Sequence, residues 1–313
     1  MSAPGVTPPD GPDAPAVTLR AYVDGAARVL AEAGVGSPRH DALALAAHAL
    51  GRDRVDLVLP PPLPAGFGAA YAALVERRRA REPLQHIIGR TVFRWLTLHV
   101  EPGVFVPRPE TETVAQPAVD EARRLRAAGR TPVVVDLCTG TGAIALAVAT
   151  EVPGARVVAV DLSAAAVSLA RRNAQAVGAA DVRVEQADVR DPDLLADLAG
   201  TVDVVVSNPP YIPPDAVPTD PEVRDHDPDL ALYGGGADGL DVPRAVVAAA
   251  ARLLAPGGLL VMEHAEVQDG PARDVATATG AFTDVVTAAD LSGRPRTLVA
   301  RRVAPAGVGD SPA

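Results

Sequence analysis

The chain contains a single cysteine, Cys138, among 313 residues. One thiol excludes an intrachain disulfide framework and any metal site built from several cysteines. No apolar run reaches the roughly 18 residues of a membrane span, because Arg252 and Pro256-Gly257-Gly258 interrupt the best candidate, residues 246–262. The N-terminus also lacks the basic and apolar segments of a secretory signal. We therefore expect a cytoplasmic protein with no membrane segment and no bound metal.

Lysine is absent, and aromatic residues make up only 3% of the chain, so the core must consist mainly of Ala, Val and Leu. The 29 basic residues are outnumbered by 39 acidic ones, for a net charge of −10. Such acidity argues against a general nucleic-acid binder, which usually carries a basic patch on a basic domain. We expect no direct nucleic-acid binding, and a monomer is the default expectation.

The length of the chain and a change of pattern along it predict two domains. Five prolines in residues 1–16 predict a disordered leader, and residues 305–313 are predicted to form a disordered tail. Residues 17–84 have the periodicity and caps of a small helical domain. Residues 85–104 are rich in β-formers and predict a hairpin linker. Residues 105–304 form the predicted catalytic domain.

Strand and helix patterns alternate from about residue 131, which favours parallel βαβ units. The last two predicted strands are separated by too short a loop for a crossover helix, so they are expected to pair antiparallel. The fold class is therefore α/β, with a mostly parallel sheet and an antiparallel C-terminal hairpin. The predicted strands are Pro132–Asp136, Arg156–Asp161, Val182–Gln186, Asp203–Ser207, Leu259–Glu263, Phe282–Val286 and Thr297–Arg301.

A glycine turn follows the first strand of this sheet. Gly140 and Gly142 would let the backbone approach a ligand closely, and Asp161 ends the next strand, where a carboxylate can accept from both ribose hydroxyls. The turn matches the dinucleotide fingerprint and also the acidic turn of S-adenosylmethionine (SAM) methyltransferases. Asp136 favours SAM, since a carboxylate there can lie near the methionine ammonium. A tight turn without a ligand, with Asp161 as a helix cap, stays open.

Asp188 and Val189 follow the third strand. The Asp188 carboxylate is a candidate for the amino group of adenine, with the backbone of Val189 beside it. An aspartate in an ordinary turn is the equally simple alternative.

The sequence Asn208-Pro209-Pro210-Tyr211 follows the fourth strand, at the edge of the sheet that carries the glycine turn. The Asn208 side-chain oxygen and the Pro209 carbonyl can hold both N–H groups of a planar nitrogen, so that its lone pair points at a methyl donor. This is catalysis by positioning. Consecutive prolines fix the backbone, and Tyr211 supplies a flat wall. The alternative is a rigid proline turn without chemistry.

The segment from Pro209 to Leu240 holds seven prolines. Long loops in compact domains are usually functional or disordered. Because this one begins beside Asn208, we expect it to shape the pocket for the methyl acceptor.

The motifs Asp136–Gly142, Asp161 and Asn208–Tyr211, with Val106–Glu112 upstream, resemble the peptide chain release factor N5-glutamine methyltransferases (the PrmC/HemK family). The resemblance covers about residues 17–303. It implies a Rossmann-like class I SAM-dependent methyltransferase domain and, as partners, bacterial class 1 release factors. The methyl acceptor is then the glutamine of their Gly-Gly-Gln loop, and residues 17–84 recognise the substrate.

The resemblance also assigns site residues. It implies catalytic roles for Asn208, Pro209 and Tyr211. It implies that residues 138–142 and Asp161 bind SAM and that Phe105 and the loop 107–112 border the pocket. Together with the residues argued above, the predicted cofactor site comprises Asp136, Cys138, Thr139, Gly140, Thr141, Gly142, Asp161, Asp188, Val189 and Asn208. The resemblance implies an acceptor site formed by Phe105, Arg108, Glu110, Asn208, Pro209, Pro210 and Tyr211.

Other functions share parts of this pattern. DNA adenine-N6 methyltransferases and the glutamine methyltransferase of a large-subunit ribosomal protein both carry the Asn-Pro-Pro-Tyr motif. The acidity of the chain disfavours the DNA alternative, and residues 107–112 together with the N-terminal domain favour the release-factor enzyme. A more distant alternative is an NAD-binding oxidoreductase that uses the Gly140–Ala145 turn.

Overall fold

The computed structural model describes residues 17–304. The predicted disordered leader, residues 1–16, and tail, residues 305–313, lie outside the described residues. The chain divides into two compact units, with the boundary between Ile88 and Gly89. The sequence places this boundary slightly earlier, after residue 84.

The first unit is helical over the part of it that the structure describes. Thr18 Oγ1 accepts a hydrogen bond of 3.2 Å from the N–H of Ala21, which caps the first helix as its sequence predicts. Residues 85–88, which the sequence predicts as the start of the hairpin linker, are helical, because Leu84 and Ile87 pack into the apolar core of this unit. The helices are α1 (Leu19–Glu32), α2 (Pro38–Ala49), α3 (Phe67–Arg79) and α4 (Leu84–Ile88).

The second unit begins with the hairpin β1 (Arg90–Phe93) and β2 (Leu96–His99), which pair antiparallel. A seven-stranded sheet follows, in the order β5-β4-β3-β6-β7-β9-β8. Its strands are β3 (Val133–Leu137), β4 (Arg156–Asp161), β5 (Arg183–Gln186), β6 (Val202–Ser207), β7 (Leu254–Glu263), β8 (Phe282–Ala289) and β9 (Pro295–Arg302).

The sheet has the predicted mixture of strand directions. Strands β3 to β7 pair parallel, whereas β9 pairs antiparallel with both β7 and β8. The sequence predicts β7 from Leu259, but the strand begins at Leu254. Leu254 pairs with Val202 before an irregularity in the register, so Pro256-Gly257-Gly258 interrupts the pattern of side chains without ending the strand.

Helices cover both faces of the sheet. Val134 belongs to the apolar cluster of α5, α6 and α7, whereas its neighbour Val135 belongs to that of α10 and α11. Side chains alternate along a strand, so a strand of consecutive valines is buried on both faces. The helices of this unit are α5 (Thr111–Ala127), α6 (Ala143–Glu151), α7 (Ala164–Ala176), α8 (Pro221–Arg224), α9 (Asp229–Leu232), α10 (Asp241–Leu253) and α11 (Asp269–Ala278).

The register brings the functional motifs together. Leu137, the last residue of β3, pairs with Val160 of β4 on one side and with Ser207 of β6 on the other. The residues that follow these strands therefore meet at one edge of the sheet. The segment 209–240, predicted as a long loop, crosses this edge and contains the short helices α8 and α9. Over residues 17–304, none of the helices combines the length and the apolar character that crossing a bilayer requires.

Candidate active site

A cavity opens at the carboxyl ends of β3, β4 and β6. Most residues predicted from the sequence as site residues line it: Phe105, Arg108, Cys138, Thr139, Gly140, Thr141, Asp161, Asp188, Val189, Asn208, Pro209, Pro210 and Tyr211. Three others, Asp136, Gly142 and Glu110, lie away from its wall. The structure thus brings both motifs to one cavity, although their residues are far apart in sequence.

The turn between β3 and α6 has an unusual backbone. Cys138 has φ +61°, a left-handed conformation that costs a residue with a Cβ about 1–2 kcal/mol. Gly140 and Gly142 share this conformation without the penalty. The N–H of Gly142 donates to the carbonyl of Thr139 at 2.9 Å and closes the turn, and the N–H of Thr139 donates to the carbonyl of Val160 at 2.9 Å and joins the turn to β4. Burial raises the pKa of the Cys138 thiol, which favours the protonated form, and a thiol is a much poorer nucleophile than a thiolate.

Gly142 has a packing role rather than a place in the cavity wall. It precedes α6 with φ +85°. A Cβ there would lie 3.2 Å from Leu146 Cδ1 and 3.3 Å from Ala170 Cβ. The glycine therefore permits the close approach of α6 and α7.

Asp136 lies beneath the turn and is fully buried. Its Oδ2 accepts from Thr139 Oγ1 at 2.6 Å and from the N–H of Ala145 at 3.1 Å, which ties β3 to the turn and to α6. Its Oδ1 has no hydrogen-bond partner among residues 17–304. Burial raises the pKa of Asp136 to about 7. The sequence places this carboxylate at the mouth of the first strand, whereas the structure places it below the floor of the cavity.

Asp161 ends β4 and lines the cavity. Its Oδ2 accepts from the N–H of Gly140 at 2.8 Å, and its Oδ1 accepts from the N–H of Ser163 at 2.9 Å. Both bonds fix the carboxylate while leaving a lone pair on each oxygen. Burial raises the pKa of Asp161. The alternative that Asp161 is the cap of α7 is wrong, because Ser163 caps that helix.

Asp188 and Val189 lie on the wall beside Leu162 and Ala187. Asp188 Oδ1 also accepts from the N–H of Arg190 at 2.9 Å. The residue is thus a turn former and a wall residue at once, so the two interpretations of the sequence are compatible. The three apolar neighbours make this side of the cavity suited to a flat, apolar ring.

The side chain of Asn208 is held by Thr111, on the cavity wall, and through it by Glu263. Asn208 Nδ2 donates to Thr111 Oγ1 at 3.1 Å, and this hydroxyl donates to Glu263 Oε2 at 2.9 Å. The Tyr211 hydroxyl donates to Glu263 Oε1 at 3.2 Å. These bonds use the nitrogen end of the Asn208 amide and leave its oxygen for another donor. Tyr211 therefore bonds this buried carboxylate directly, and Asn208 is linked to it through Thr111.

The backbone after Asn208 is also fixed. Gln268 Nε2 donates to the carbonyl of Tyr211 at 2.8 Å and to that of Asp238 at 2.9 Å. The N–H of Ala265 in turn donates to Gln268 Oε1 at 3.0 Å. One buried amide thus joins the two ends of the segment 209–240.

Arg108 connects this segment to the loop before α5. Its Cζ lies 5.1 Å from the centroid of the Phe105 ring, a cation–π contact. Its Nη2 donates to Asp227 Oδ2 at 2.5 Å. Burial raises the pKa of Asp227, and the Arg108 guanidinium opposes that shift. Leu230, Ala231 and Leu232 of α9 line the same side of the cavity, so the long segment does border the site.

Glu110 was expected in the acceptor site, but its side chain is exposed at the start of α5. Its carbonyl accepts from Thr113 Oγ1 at 2.6 Å. The expectation was drawn from its neighbours in the motif. The next residue, Thr111, turns inward and lines the cavity instead.

The resemblance places Thr111 in a loop that borders the pocket, and it assigns no individual role to Thr111, Glu263 or Gln268. Two of them carried a usable signal. Thr111 lies inside the Val106–Glu112 motif, and Glu263 is a charged residue at the carboxyl end of a buried strand, where open α/β sheets bind ligands. Gln268 follows a turn and offers no such signal. In residues 17–304, no cluster of three or more His, Cys, Asp or Glu side chains is arranged to hold a metal ion.

The fold and the site define a class of protein. A parallel sheet with an antiparallel C-terminal hairpin, a glycine turn after its first strand and an Asn-Pro-Pro-Tyr motif after its fourth are the features of a class I methyltransferase. Family models agree: residues 22–89 match the PrmC N-terminal domain, and residues 110–220 match the methyltransferase small domain. Similarity to curated proteins narrows the class.

The chain is 50% identical to the release factor glutamine methyltransferase of Mycolicibacterium smegmatis, over 91% of this chain and 98% of that protein. It is 49% identical to the enzyme of the same name from Streptomyces coelicolor, over 92% and 99%. It is also 43% identical to the 4-amino-L-phenylalanine/4-methylamino-L-phenylalanine methyltransferase of Streptomyces pristinaespiralis, over 86% and 91%. The chain belongs to the release factor glutamine methyltransferase family.

Proposed function

We propose that this protein transfers a methyl group from SAM to the side-chain amide nitrogen, N5, of the glutamine in the Gly-Gly-Gln motif of bacterial class 1 release factors. The observation that carries the proposal is that Asn208-Pro209-Pro210-Tyr211 and the glycine turn line the same cavity. The identity of 50% with a release factor glutamine methyltransferase over nearly the whole of both chains supports this acceptor.

The residues of the cavity fit SAM. The Asp161 carboxylate lines the cavity with a lone pair free on each oxygen, which suits ribose hydroxyls. Leu162, Ala187 and Val189 offer an apolar slot for adenine, with Asp188 at its side. The unpartnered Oδ1 of Asp136 offers charge compensation for an ammonium group near the turn. SAM, when bound, supplies an electrophilic sulfonium methyl.

The protein then positions the acceptor nitrogen. An amide nitrogen is a poor nucleophile because its lone pair is delocalised. Asn208 Oδ1 and the carbonyl of Pro209 accept its two N–H groups, and Tyr211 packs against its plane. Held in this way, the nitrogen presents its lone pair to the methyl group. Orientation of this kind lowers a barrier by several kcal/mol when the reacting atoms are nearly aligned.

We further propose that the cofactor contacts residues 138–141, Asp161, Asp188 and Val189, with Asp136 acting only as a buried charge from beneath the turn, and that the acceptor contacts Phe105, Arg108 and residues 208–211. Two predicted contacts have less support. Gly142 packs between helices, and the Glu110 side chain is exposed. We assign Gly142 to shaping the turn and leave Glu110 outside the pocket.

A second candidate acceptor is an aromatic amine. The relative at 43% identity is named for methylation of 4-amino-L-phenylalanine, and an aniline nitrogen is planar and weakly nucleophilic, as an amide nitrogen is. Positioning by Asn208 and Pro209 therefore suits both acceptors. The higher identity to the release-factor enzymes favours the glutamine.

A transfer assay with three acceptors tests the proposal. The protein is incubated with methyl-labelled SAM and with unmodified release factor, 4-amino-L-phenylalanine or duplex DNA, and the label in each acceptor is counted. We expect transfer to the release factor. Transfer to the amino acid or to DNA, with none to the release factor, would contradict the proposal.

A further inference from the structure

Glu263 is the last residue of β7 and is only 3% exposed. Its two oxygens each receive one hydroxyl donor, Thr111 Oγ1 at 2.9 Å and the Tyr211 hydroxyl at 3.2 Å. Burial of a carboxylate is costly unless its hydrogen bonds are made. Three chain segments that are remote in sequence converge on this one group.

The direction of these hydrogen bonds has a consequence. An ionised carboxylate only accepts hydrogen bonds. The Thr111 hydroxyl must therefore give its single proton to Glu263 and can only accept from Asn208. Asn208 then has to turn its NH2 group to Thr111, at 3.1 Å, and its oxygen away. If the Thr111 hydroxyl did not donate to Glu263, it could donate to Asn208 instead. The amide could then equally turn its oxygen to Thr111 and its NH2 to the cavity.

We propose that Glu263, acting through Thr111, fixes which end of the Asn208 amide faces the methyl acceptor. The inference rests on the proposed function, because the acceptor is taken to offer N–H groups to Asn208. An inverted Asn208 would set NH2 against those N–H groups and repel them. Glu263 and Thr111 are thus positioning residues, and neither has to touch the acceptor.

The path Glu263–Thr111–Asn208 is a relay that operates only while the Glu263 carboxylate is ionised. The charged groups around Glu263 determine the pH at which it ionises. Burial raises the pKa of Glu263 to about 7, the hydroxyls of Thr111 and Tyr211 oppose the shift, and the positive charge of Arg296 on β9 opposes it further. Glu110, before α5, has the opposite effect. Below this pKa the protonated carboxyl can itself donate and no longer dictates the direction.

The first experiment removes the middle of the relay. In Thr111→Val the hydroxyl is lost with little change of shape, and in Thr111→Ser it is kept. We expect Thr111→Val to lower kcat by about 100-fold, the effect of a displaced reacting group, with the Kd for SAM unchanged, and Thr111→Ser to restore most of the activity. Thr113→Val is the matched control, because Thr113 is bonded only to a local carbonyl on the exposed side of α5.

The second experiment examines Glu263 itself. We expect the kcat of the wild type to rise with pH through about 7, and Glu263→Gln to have a lower kcat without this step. Carbon-13 NMR of labelled glutamate follows the titration of Glu263 without any acceptor. Thr111→Val should raise the pKa of Glu263, because the ionised form loses a donor.

The outcomes separate the inference from the proposed function. A Thr111→Val protein with the kcat of the wild type, or an unaltered pKa of Glu263 in that variant, overturns the relay. If the wild type transfers no methyl group but Thr111→Val still raises the pKa of Glu263, the proposed function is contradicted and the hydrogen bonds from Thr111 to Glu263 are supported. A Glu263→Gln protein with the wild-type pH profile overturns the role of the carboxylate.

Discussion

A Cβ atom on Gly239 would lie 2.3 Å from the carbonyl oxygen of Tyr211. Real Cβ atoms do not come that close to backbone, so a side chain at Gly239 must displace the end of the Asn-Pro-Pro-Tyr motif. Gly239 also has φ +75°, in the left-handed region. The far end of the segment 209–240 therefore constrains the position of the acceptor site.

Gly239→Ala should lower turnover strongly. We expect a loss of about 100-fold in kcat, because small displacements of a reacting group have effects of that size. Gly257→Ala is the matched control: Gly257 has φ +79°, but open space surrounds the position of its Cβ. The control should lose about 1 kcal/mol of stability and keep its activity. Equal kcat values for the two variants would contradict a positional role for Gly239.

Cys138 should tolerate glycine better than valine. Its φ of +61° is disfavoured for any side chain and most of all for a β-branched one. We expect Cys138→Val to lower the free energy of unfolding by about 1 kcal/mol or more, because the β-branched side chain adds to the left-handed strain that Cys138 already bears. Cys138→Gly should bind SAM normally. Urea denaturation measures the first effect and calorimetry the second. A Cys138→Gly protein that binds SAM but transfers no methyl group would show that the thiol is needed for the transfer.

The affinity for SAM should depend on pH through Asp136. Burial raises the pKa of this carboxyl to about 7 in the free protein. Below that pH the Asp136 carboxyl is neutral and does not attract an ammonium group. The Kd for SAM should therefore rise as the pH falls, by at most about tenfold per pH unit. Calorimetry between about pH 5.5 and 7.5 measures this slope. Asp136→Asn should remove it, whereas Asp193→Asn, at an exposed position, should retain it. A Kd of the wild type that is independent of pH would refute the role.

Asn208→Ala should separate binding from transfer. In the proposed mechanism the Asn208 amide holds the acceptor nitrogen, whereas the glycine turn and Asp161 hold most of the cofactor. We expect a Kd for SAM close to that of the wild type and a kcat lower by about 100-fold or more. Gln175→Ala, on the exposed side of α7, serves as a control. Unchanged turnover in Asn208→Ala would remove the basis for amide positioning.

The sequence predicts the location of the site well, for a physical reason. Parallel strands end at the same edge of a sheet, so residues that follow β3, β4 and β6 must converge once the strands are recognised. The alternation of strand and helix patterns and the glycine turn are sufficient to place Gly140, Asp161 and Asn208 together. The short final loop likewise predicted the antiparallel pairing of β8 and β9.

Contacts that depend on tertiary packing could not be predicted in this way. Thr111 and Glu263 are 152 residues apart and meet only because α5 packs against the end of β7. The burial of Asp136 below the turn depends on how α6 packs on the sheet, and a short sequence motif does not specify that packing. Glu110 shows the opposite error, since a residue inside a functional motif can still face solvent.

The central claim is that the methyl group reaches N5 of one glutamine. Tandem mass spectrometry of release factor treated with the protein and SAM tests it most directly, with a release factor in which alanine replaces that glutamine as the control. The account predicts one methyl group on the glutamine of the Gly-Gly-Gln motif and none on the control protein. A methyl group mapped to any other residue, or equal labelling of the two factors, would contradict it.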